Sequence, residues 1–302
     1  MAYIEVAEVS KNYKKVEALK NLSFSIQQNE FFGLIGPDGA GKTTLLRIMA
    51  SLLLPDTGSV TLNGLDIKVD YRSVRKILGY MPGRFSLYQD LSVEENLNFF
   101  ATVFGTTIHE NYHLIRDIYV QIEPFRTRRA GKLSGGMKQK LALCCALIHK
   151  PEILILDEPT TGVDAVSRKE FWEMLKRLQS QGLTIIVSTP YMEDAGKCDR
   201  VALMQGGAMM AIGSTASISS SFGDALFVVT DSDAFRCLES LRQIPEVLSA
   251  YAFGKEIHVA APHGKLSVDE IANHLNSRGF ENFNVEQGEA SIEDVFLQLM
   301  TK

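Results

Sequence analysis

The stretch that decides the fold lies early in the chain and reads Gly36-Pro37-Asp38-Gly39-Ala40-Gly41-Lys42-Thr43-Thr44. It satisfies the pattern G-x-x-x-x-G-K-[ST] of a phosphate-binding loop. The apolar run before it, 30–35, predicts a buried strand, and residues 44–49 predict a helix. In that setting the glycines bring backbone N–H groups close to a phosphate, and the helix N-terminus favours its negative charge. We therefore predict that Lys42 neutralises the β- and γ-phosphates of a nucleotide and that Thr43 ligates Mg²⁺.

Two further motifs follow along the chain. Residues 133–139 read LSGGMKQ, and residues 153–160 read ILILDEPT, an apolar run that ends in two carboxylates. With the phosphate loop, and at these spacings, the motifs resemble the ATP-binding subunits of ABC transporters over roughly residues 2–213. The resemblance implies ATP and Mg²⁺ as cofactors, a second ABC ATPase domain, identical or not, as the dimer partner, and a separate transmembrane permease.

The acidic pair Asp157 and Glu158 is expected to serve catalysis. Adjacent carboxylates in a strand point to opposite faces, so they should act on different atoms. In the family that this chain resembles, the first carboxylate holds Mg²⁺ through water and the second polarises the attacking water. We therefore expect Asp157 and Thr43 at the metal, and Glu158 and Lys42 in catalysis.

Other positions match the family away from the phosphate loop. Ser134 is a good helix N-cap, and Gly135 and Gly136 open the backbone towards an anion. The resemblance implies that this signature contacts the ATP held by the opposite subunit. It also implies that Tyr13 stacks on adenine and that Asp164, a possible helix N-cap, crosses the dimer interface.

At two positions the sequence departs from the family. Gly83 follows Tyr80-Met81-Pro82, where the family has a glutamine that touches Mg²⁺ and the attacking water and whose loop meets the membrane subunit. Pro190 follows Ser188-Thr189, where the family has a histidine that bonds the γ-phosphate. Glycine has no side chain, and proline offers neither an imidazole nor an N–H. The sequence therefore predicts a weak catalytic site on this chain.

The expected fold is α/β, with a phosphate-loop NTPase domain at 1–213. Alternating strands and helices predict a mainly parallel core sheet, residues 3–64 predict an antiparallel layer, and a helical subdomain is expected at about 84–150. A serine-rich stretch, 214–224, predicts a linker. The order β-α-β-β-α-β in 225–302 predicts a small ferredoxin-like accessory domain. Its last segment, 291–296, resembles the C-terminal extension of many ABC exporter ATPases.

Composition narrows the class of protein. The 302 residues are 45% hydrophobic and 22% charged, which is typical of globular proteins. A net charge of −5 argues against a nucleic-acid partner. The sequence shows neither an apolar run of ~18 residues nor a signal-peptide core, so we expect a cytoplasmic protein held at the membrane by its permease. The four cysteines lack C-x-x-C spacing and predict reduced thiols.

The sequence thus predicts an ATP-hydrolysing subunit of an ABC transporter, of the exporter type because of its C-terminal extension. Two alternatives remain at this point. One is an ABC ATPase that drives no transport and acts on ribosomes, DNA or cluster assembly, although the chain has one phosphate loop and no heptad run. The other is a regulatory subunit that binds ATP with little turnover, which Gly83 and Pro190 favour.

Overall fold

The computed structural model describes residues 2–301, which form two compact units divided in sequence between Thr215 and Ala216. In chain order the first unit contains β1 (Ile4–Tyr13), β2 (Val16–Ile26), β3 (Phe31–Ile35), α1 (Lys42–Met49), β4 (Thr57–Leu62), β5 (Leu65–Asp66), α2 (Tyr71–Ile77), β6 (Leu78–Met81), α3 (Val93–Val103), α4 (Ile108–Tyr119), α5 (Gly135–Leu147), β7 (Ile153–Asp157), α6 (Ala165–Ser180), β8 (Thr184–Thr189), β9 (Arg200–Gln205) and β10 (Ala208–Gly213).

The central sheet has the strand order β10-β9-β3-β8-β7-β6. Five of its strands are parallel, and only the edge strand β10 pairs antiparallel. β3 and β7 are buried at every position, as apolar strands covered on both faces should be. The carboxyl ends of β3, β7 and β8 meet at one edge, which is where open α/β sheets place their ligand sites.

A second sheet, of order β2-β1-β4-β5, is antiparallel. Its inner residues, Ile4 and Leu22 among them, share one apolar core with β3 and α1. The rings of Phe24 and Phe32 stack with their centroids 5.6 Å apart and join the two layers. The predicted antiparallel layer beside the phosphate-loop strand is confirmed.

Helices α3, α4 and α5 lie within the predicted helical subdomain. Capping boxes fix the starts of the first two, because Ser92 pairs with Glu95 and Thr107 pairs with Glu110. α5 begins at Gly135, directly after the predicted N-cap Ser134, whose hydroxyl accepts from the Met137 N–H at 3.4 Å.

The second unit begins within a short helix, α7 (Thr215–Ser219), that lies in the predicted linker. It contains β11 (Ala225–Asp231), α8 (Ala234–Leu241), β12 (Ser249–Phe253), β13 (Glu256–Ala261), α9 (Val268–Ser277), β14 (Phe283–Gly288) and α10 (Ile292–Thr301). The sheet is antiparallel with order β12-β13-β11-β14, and α8 and α9 pack their apolar faces on it. This is the predicted ferredoxin-like arrangement. Among residues 2–301, the structure contains no helix that combines the length and the apolar character needed to span a membrane.

Candidate functional site

The phosphate loop joins the end of β3 to α1, as the sequence predicts. Gly36 has to be glycine, because a Cβ there would lie 2.1 Å from the carbonyl oxygen of Met204. Gly41 has a φ of +102°, in the left-handed region that favours glycine. Lys42 is buried, and its Nζ donates to the Gly36 carbonyl at 2.7 Å and the Pro37 carbonyl at 3.1 Å. The ammonium is thus held inside the curve of the loop.

The two carboxylates lie beside this loop. The Thr43 hydroxyl donates to Asp157 Oδ1 at 3.0 Å, and Glu158 Oε1 lies 3.3 Å from Lys42 Nζ. Asp157 is the last residue of β7, whereas Glu158 lies beyond the strand with a φ of +48°. The two carboxylates contact different partners. Because Glu158 lies past the end of β7, where the chain turns, the expectation that strand alternation separates them does not apply.

A cavity of about 600 Å³ opens over the loop. The predicted residues that line it are Tyr13, Asp38, Gly39, Ala40, Gly41, Lys42, Thr43, Thr44 and Glu158. Gly36, Pro37 and Asp157 do not line the cavity but accept hydrogen bonds from the lining residues Lys42 and Thr43. Tyr13 is 44% exposed and leaves one wall open to solvent. An aromatic ring at that wall can stack on a planar base while the loop holds the phosphates.

Sequence reasoning missed four residues of the cavity. They are Val16, Glu17, Ala18 and Gly206. The Lys20 N–H donates to the Gly207 carbonyl at 2.8 Å, which brings the β9–β10 turn against β2. Only the Gly206-Gly207 pair hints at this turn in the sequence, and its approach to β2 is a tertiary contact that no local pattern predicts.

The signature residues do not line this cavity. Ser134 caps α5, while Asp164 caps α6 by accepting from the Ser167 N–H at 3.0 Å, a bond that lowers the pKa of the Asp164 carboxyl. The two helix starts are neighbours, because a Cβ on Gly136 would lie 3.0 Å from Ser167 Oγ and one on Gly135 would lie 3.6 Å from the Gly162 carbonyl. The structure thus brings the signature and the Asp164 segment together on a surface separate from the loop of the same chain.

The two departures from the family lie at the site. A Cβ on Gly83 would be 2.9 Å from the Asp157 carbonyl oxygen and 3.7 Å from Asp157 Oδ2. Pro190 follows Thr189, whose carbonyl accepts from the Gly36 N–H at 3.3 Å. Position 83 therefore faces the carboxylate of Asp157, and position 190 lies next to the first glycine of the loop. Within residues 2–301, no histidine lines the cavity.

The segment after Pro190 is held by a buried aspartate. Asp194 accepts from Thr189 Oγ1 at 2.8 Å, from Arg168 Nη2 at 2.8 Å and from Lys197 Nζ at 2.6 Å. The Arg168 guanidinium also lies 4.2 Å from the centre of the Tyr191 ring. This network fixes the end of β8 against α6, so position 190 is ordered although it lacks the expected imidazole.

Comparison with known proteins agrees with this geometry. The family model for ABC transporters matches residues 19–161. The linearmycin resistance ATP-binding protein LnrL of Bacillus subtilis strain 168 is 31% identical over 304 residues, which cover 98% of this chain and 97% of LnrL. The chain belongs to the ATP-binding proteins of ABC transporters. This ABC ATP-binding protein is also 36% identical to the probable multidrug ABC transporter ATP-binding protein YbhF of Escherichia coli strain K12 over 288 residues.

The extent of these matches differs. The match to YbhF covers 94% of this ABC ATP-binding protein but 49% of YbhF, so the chain spans about half the length of that relative. Among solved structures, the dimeric ATP-binding cassette MJ0796 bound to ADP and Pi aligns with a TM-score of 0.64 and 26% identity. That alignment covers 70% of this chain and 98% of MJ0796.

Proposed function

We propose that this ABC ATP-binding protein binds Mg-ATP between two ATPase domains and hydrolyses it to drive a separate membrane permease. The observation that supports this most directly is the convergence of the phosphate loop with the two carboxylates. The Thr43 hydroxyl contacts Asp157, and Lys42 lies beside Glu158, all at the edge of one cavity. A helix N-terminus, a buried cation and two acids are the groups that phosphoryl transfer to water requires.

The residues at this edge suit Mg²⁺. Thr43 Oγ1 and the carboxylate of Asp157 are hard oxygen donors, the type that Mg²⁺ prefers, and few such donors are needed because the ion keeps several waters and phosphate oxygens. A bound Mg²⁺ would neutralise charge on the β- and γ-phosphates. Asp157 is buried and would hold that ion through water, and Glu158 would polarise the water that attacks the γ-phosphate.

Lys42 has to change partners when ATP binds. Its Nζ now contacts the Gly36 and Pro37 carbonyls and Glu158, and the β- and γ-phosphates would replace part of these contacts. Glu158 would then be released towards the attacking water. The Lys42 ammonium would thus contact the phosphates, and the loss of its contact with Glu158 would free that carboxylate for catalysis.

The signature surface supports a site shared by two chains. Ser134, Gly135 and Gly136 present a helix N-terminus that does not line the phosphate-loop cavity of its own chain. A second ATPase domain would place its signature over this chain's ATP, with Asp164 near the interface and Tyr13 against the adenine. The dimeric relative MJ0796 supports this proposal.

An apolar cavity of about 320 Å³ supports the docking of a permease. It lies beside the loop that carries Gly83, and its lining includes Leu52, Tyr80, Leu87, Phe100 and Phe104. We propose that the permease contacts this loop, which holds the protein at the cytoplasmic face of the membrane. The names of YbhF and LnrL, a probable multidrug transporter component and a resistance protein, favour export.

Gly83 and Pro190 support a slow catalytic site on this chain. Neither position can hold the attacking water or the γ-phosphate, and lost positioning costs a factor of ~10² or more in rate. The signature is complete, so it can serve the phosphate loop of a partner. The proposal is therefore an asymmetric pair, with a slow site on this chain's loop and a competent site on the partner's. The alternative of a regulatory subunit differs from the asymmetric pair only in whether this chain hydrolyses ATP at all.

Lys42→Ala tests the proposed nucleotide site. Charge-assisted hydrogen bonds are worth ~1.5–3 kcal/mol, so the affinity for a fluorescent ATP analogue should fall at least ~10-fold, and release of phosphate from ATP should stop. Lys169→Ala, which removes an exposed lysine on α6, is the control and should change neither. Unchanged affinity in a folded Lys42→Ala protein would contradict the assignment.

A further inference from the structure

We infer that Ser188 is a positioning residue that fixes both acidic side chains of the site, an inference that rests on the proposed function. Ser188 lies near the end of β8 and is fully buried. Its hydroxyl donates to Asp157 Oδ1 at 2.8 Å and accepts from the Glu158 backbone N–H at 2.9 Å. One hydroxyl group thus contacts both consecutive acids, on the side chain of the first and the backbone of the second.

The backbone at Glu158 requires such an anchor. Its φ of +48° lies in the left-handed region, which is unfavourable for a residue that carries a Cβ. A conformation of this kind persists only where several contacts fix it. Besides Ser188 Oγ, the Ser188 carbonyl accepts from the Glu158 N–H at 3.2 Å, and the Thr161 N–H donates to the Glu158 carbonyl at 3.2 Å. The turn aims the Glu158 carboxylate at Lys42, so its loss would misdirect the proposed base.

The same hydroxyl orients Asp157. Oδ1 of Asp157 accepts from both Thr43 and Ser188, so two short bonds fix the rotation of the carboxylate. Oδ2 is then the oxygen nearest to position 83, 3.7 Å from where a Cβ would lie. Because Gly83 has no side chain to help orient a metal-bound water, Asp157 and Thr43 have to do so. Ser188 keeps Asp157 in that orientation before Mg²⁺ arrives.

A second buried hydroxyl on β8 provides a matched control for Ser188. Thr184, at the other end of β8, is also fully buried, and its Oγ1 accepts from the Asn29 N–H at 2.9 Å. Thr184→Val deletes a buried hydroxyl from the same strand far from the carboxylates. If weaker packing of β8 alone lowered the hydrolysis rate or the response to Mg²⁺, both variants would show the loss. If Ser188 positions the carboxylates, only Ser188→Ala would show it.

The experiment compares wild type, Ser188→Ala, Ser188→Thr and Thr184→Val. Equilibrium binding of ATP is measured in EDTA and across a Mg²⁺ titration, and hydrolysis is measured under single-turnover conditions. We expect Ser188→Ala to bind metal-free ATP within about twofold of wild type, to need several-fold more Mg²⁺, and to hydrolyse ATP at least ~10-fold more slowly. Ser188→Thr restores the hydroxyl and should recover most of both losses, and Thr184→Val should match wild type.

A wild-type Mg²⁺ response and hydrolysis rate in Ser188→Ala would overturn the inference, as would equal losses in Thr184→Val. If Ser188→Ala does not fold, Ser188→Cys, whose thiol is a weak donor, should show the same losses in its place. Failure of the wild-type chain to hydrolyse ATP would instead count against the proposed function, and the Mg²⁺ titration would still decide the role of Ser188.

Discussion

At the residue scale, Pro190 and Gly83 are the two positions that lead us to expect slow ATP hydrolysis at this site. Pro190 lies beside the phosphate loop because Thr189 accepts from the Gly36 N–H, and the Asp194 network orders the segment that follows. An imidazole at 190 would therefore enter an ordered position. Gly83 is more constrained, since a Cβ there would lie 2.9 Å from the carbonyl oxygen of Asp157. Gly83 therefore fits the local packing, and it also leaves the site without the ligand that a glutamine side chain would provide.

Pro190→His should raise the rate of ATP hydrolysis by the isolated chain. A histidine restores a donor for the γ-phosphate and an N–H to the backbone, and the expected gain is at least ~10-fold, because one well-placed donor in the oxyanion hole of an acyl-transfer enzyme is worth ~10²–10³ in rate. The combined Gly83→Gln and Pro190→His variant should be faster still, provided that the backbone near Asp157 shifts. Turnover is measured by release of labelled phosphate.

Pro190→Ala is the control for backbone effects and should stay near wild type. The asymmetric model is wrong if the wild-type chain alone already turns over at several per second, close to the ~10 s⁻¹ median of enzymes. It also fails if Pro190→His and Pro190→Ala have the same rate.

The loop residues could be predicted from sequence because their pattern is contiguous. The chemistry of Gly36, Gly41, Lys42 and Thr43 depends on local conformation, and the structure has that conformation. The role of Ser188 could not be predicted, since its contact with Asp157 exists only where β7 and β8 pair in the sheet. Likewise, the positive φ of Glu158 has no signal in the residue type.

At the scale of elements, α10 is anchored by an ion pair on β13. His258 Nδ1 lies 2.8 Å and 3.0 Å from the two carboxylate oxygens of Asp294, whose Oδ2 also accepts from the Ser291 N–H and hydroxyl. The bond to Asp294 raises the pKa of His258, and the charges of Asp294 and Glu256 add to this effect. Although burial opposes it, the hydrogen bonds from His258 and Ser291 lower the pKa of Asp294.

The anchoring of α10 should depend on pH. A raised histidine pKa gives stability that is complete below the unfolded value of ~6.5 and is lost as the pH rises through the folded value. A lowered aspartate pKa gives stability that is complete above ~3.9 and is lost as the pH falls through the folded value. The pair should therefore hold α10 best between about pH 4 and pH 6.5 and less well in alkali.

Hydrogen exchange of the amides in 292–301, corrected for the intrinsic effect of pH, measures this anchoring. Protection should be lower at pH 9 than at pH 6 in wild type, and the difference should shrink in His258→Gln. His274→Gln is the matched control, because His274 contacts Ser240 and no carboxylate. Equal protection of wild type at both pH values would contradict the role of the pair.

Element types were largely predictable, and element ends were not. The apolar run 153–156 predicts β7 because a fully buried parallel strand needs apolar residues on both faces. In α5 the N-cap at Ser134 could be predicted, whereas the inclusion of Gly135 and Gly136 in the helix could not, because glycine favours loops. The linker at 214–224 contains the helical turn α7, whose bounds its serine-rich composition does not indicate.

At the scale of the whole molecule, the proposed catalytic site is completed by a second ATPase domain. Among residues 2–301, none of the signature residues Ser134, Gly135 and Gly136 lines the phosphate-loop cavity. The cavity and the signature surface are thus each half of the proposed site. Two chains would bury both halves around ATP, and hydrolysis would separate them, which is how ATP would move the permease.

The most direct test of this claim is the mass of Glu158→Gln in solution, measured by size-exclusion chromatography with light scattering. Glutamine keeps the shape of Glu158 but removes the carboxylate that polarises water, so ATP should bind and remain intact. Ser134→Arg, added to this variant, blocks the signature, and Ser267→Arg, which alters the N-cap of α9, is the control for loss of a cap.

We predict that Glu158→Gln is monomeric without nucleotide and has about twice that mass with ATP and Mg²⁺. Ser134→Arg should abolish the increase, and Ser267→Arg should leave it unchanged. A protein that binds ATP yet stays monomeric would contradict a site shared by two copies of this chain, and a dimer that tolerates Ser134→Arg would contradict the role of the signature in the shared site.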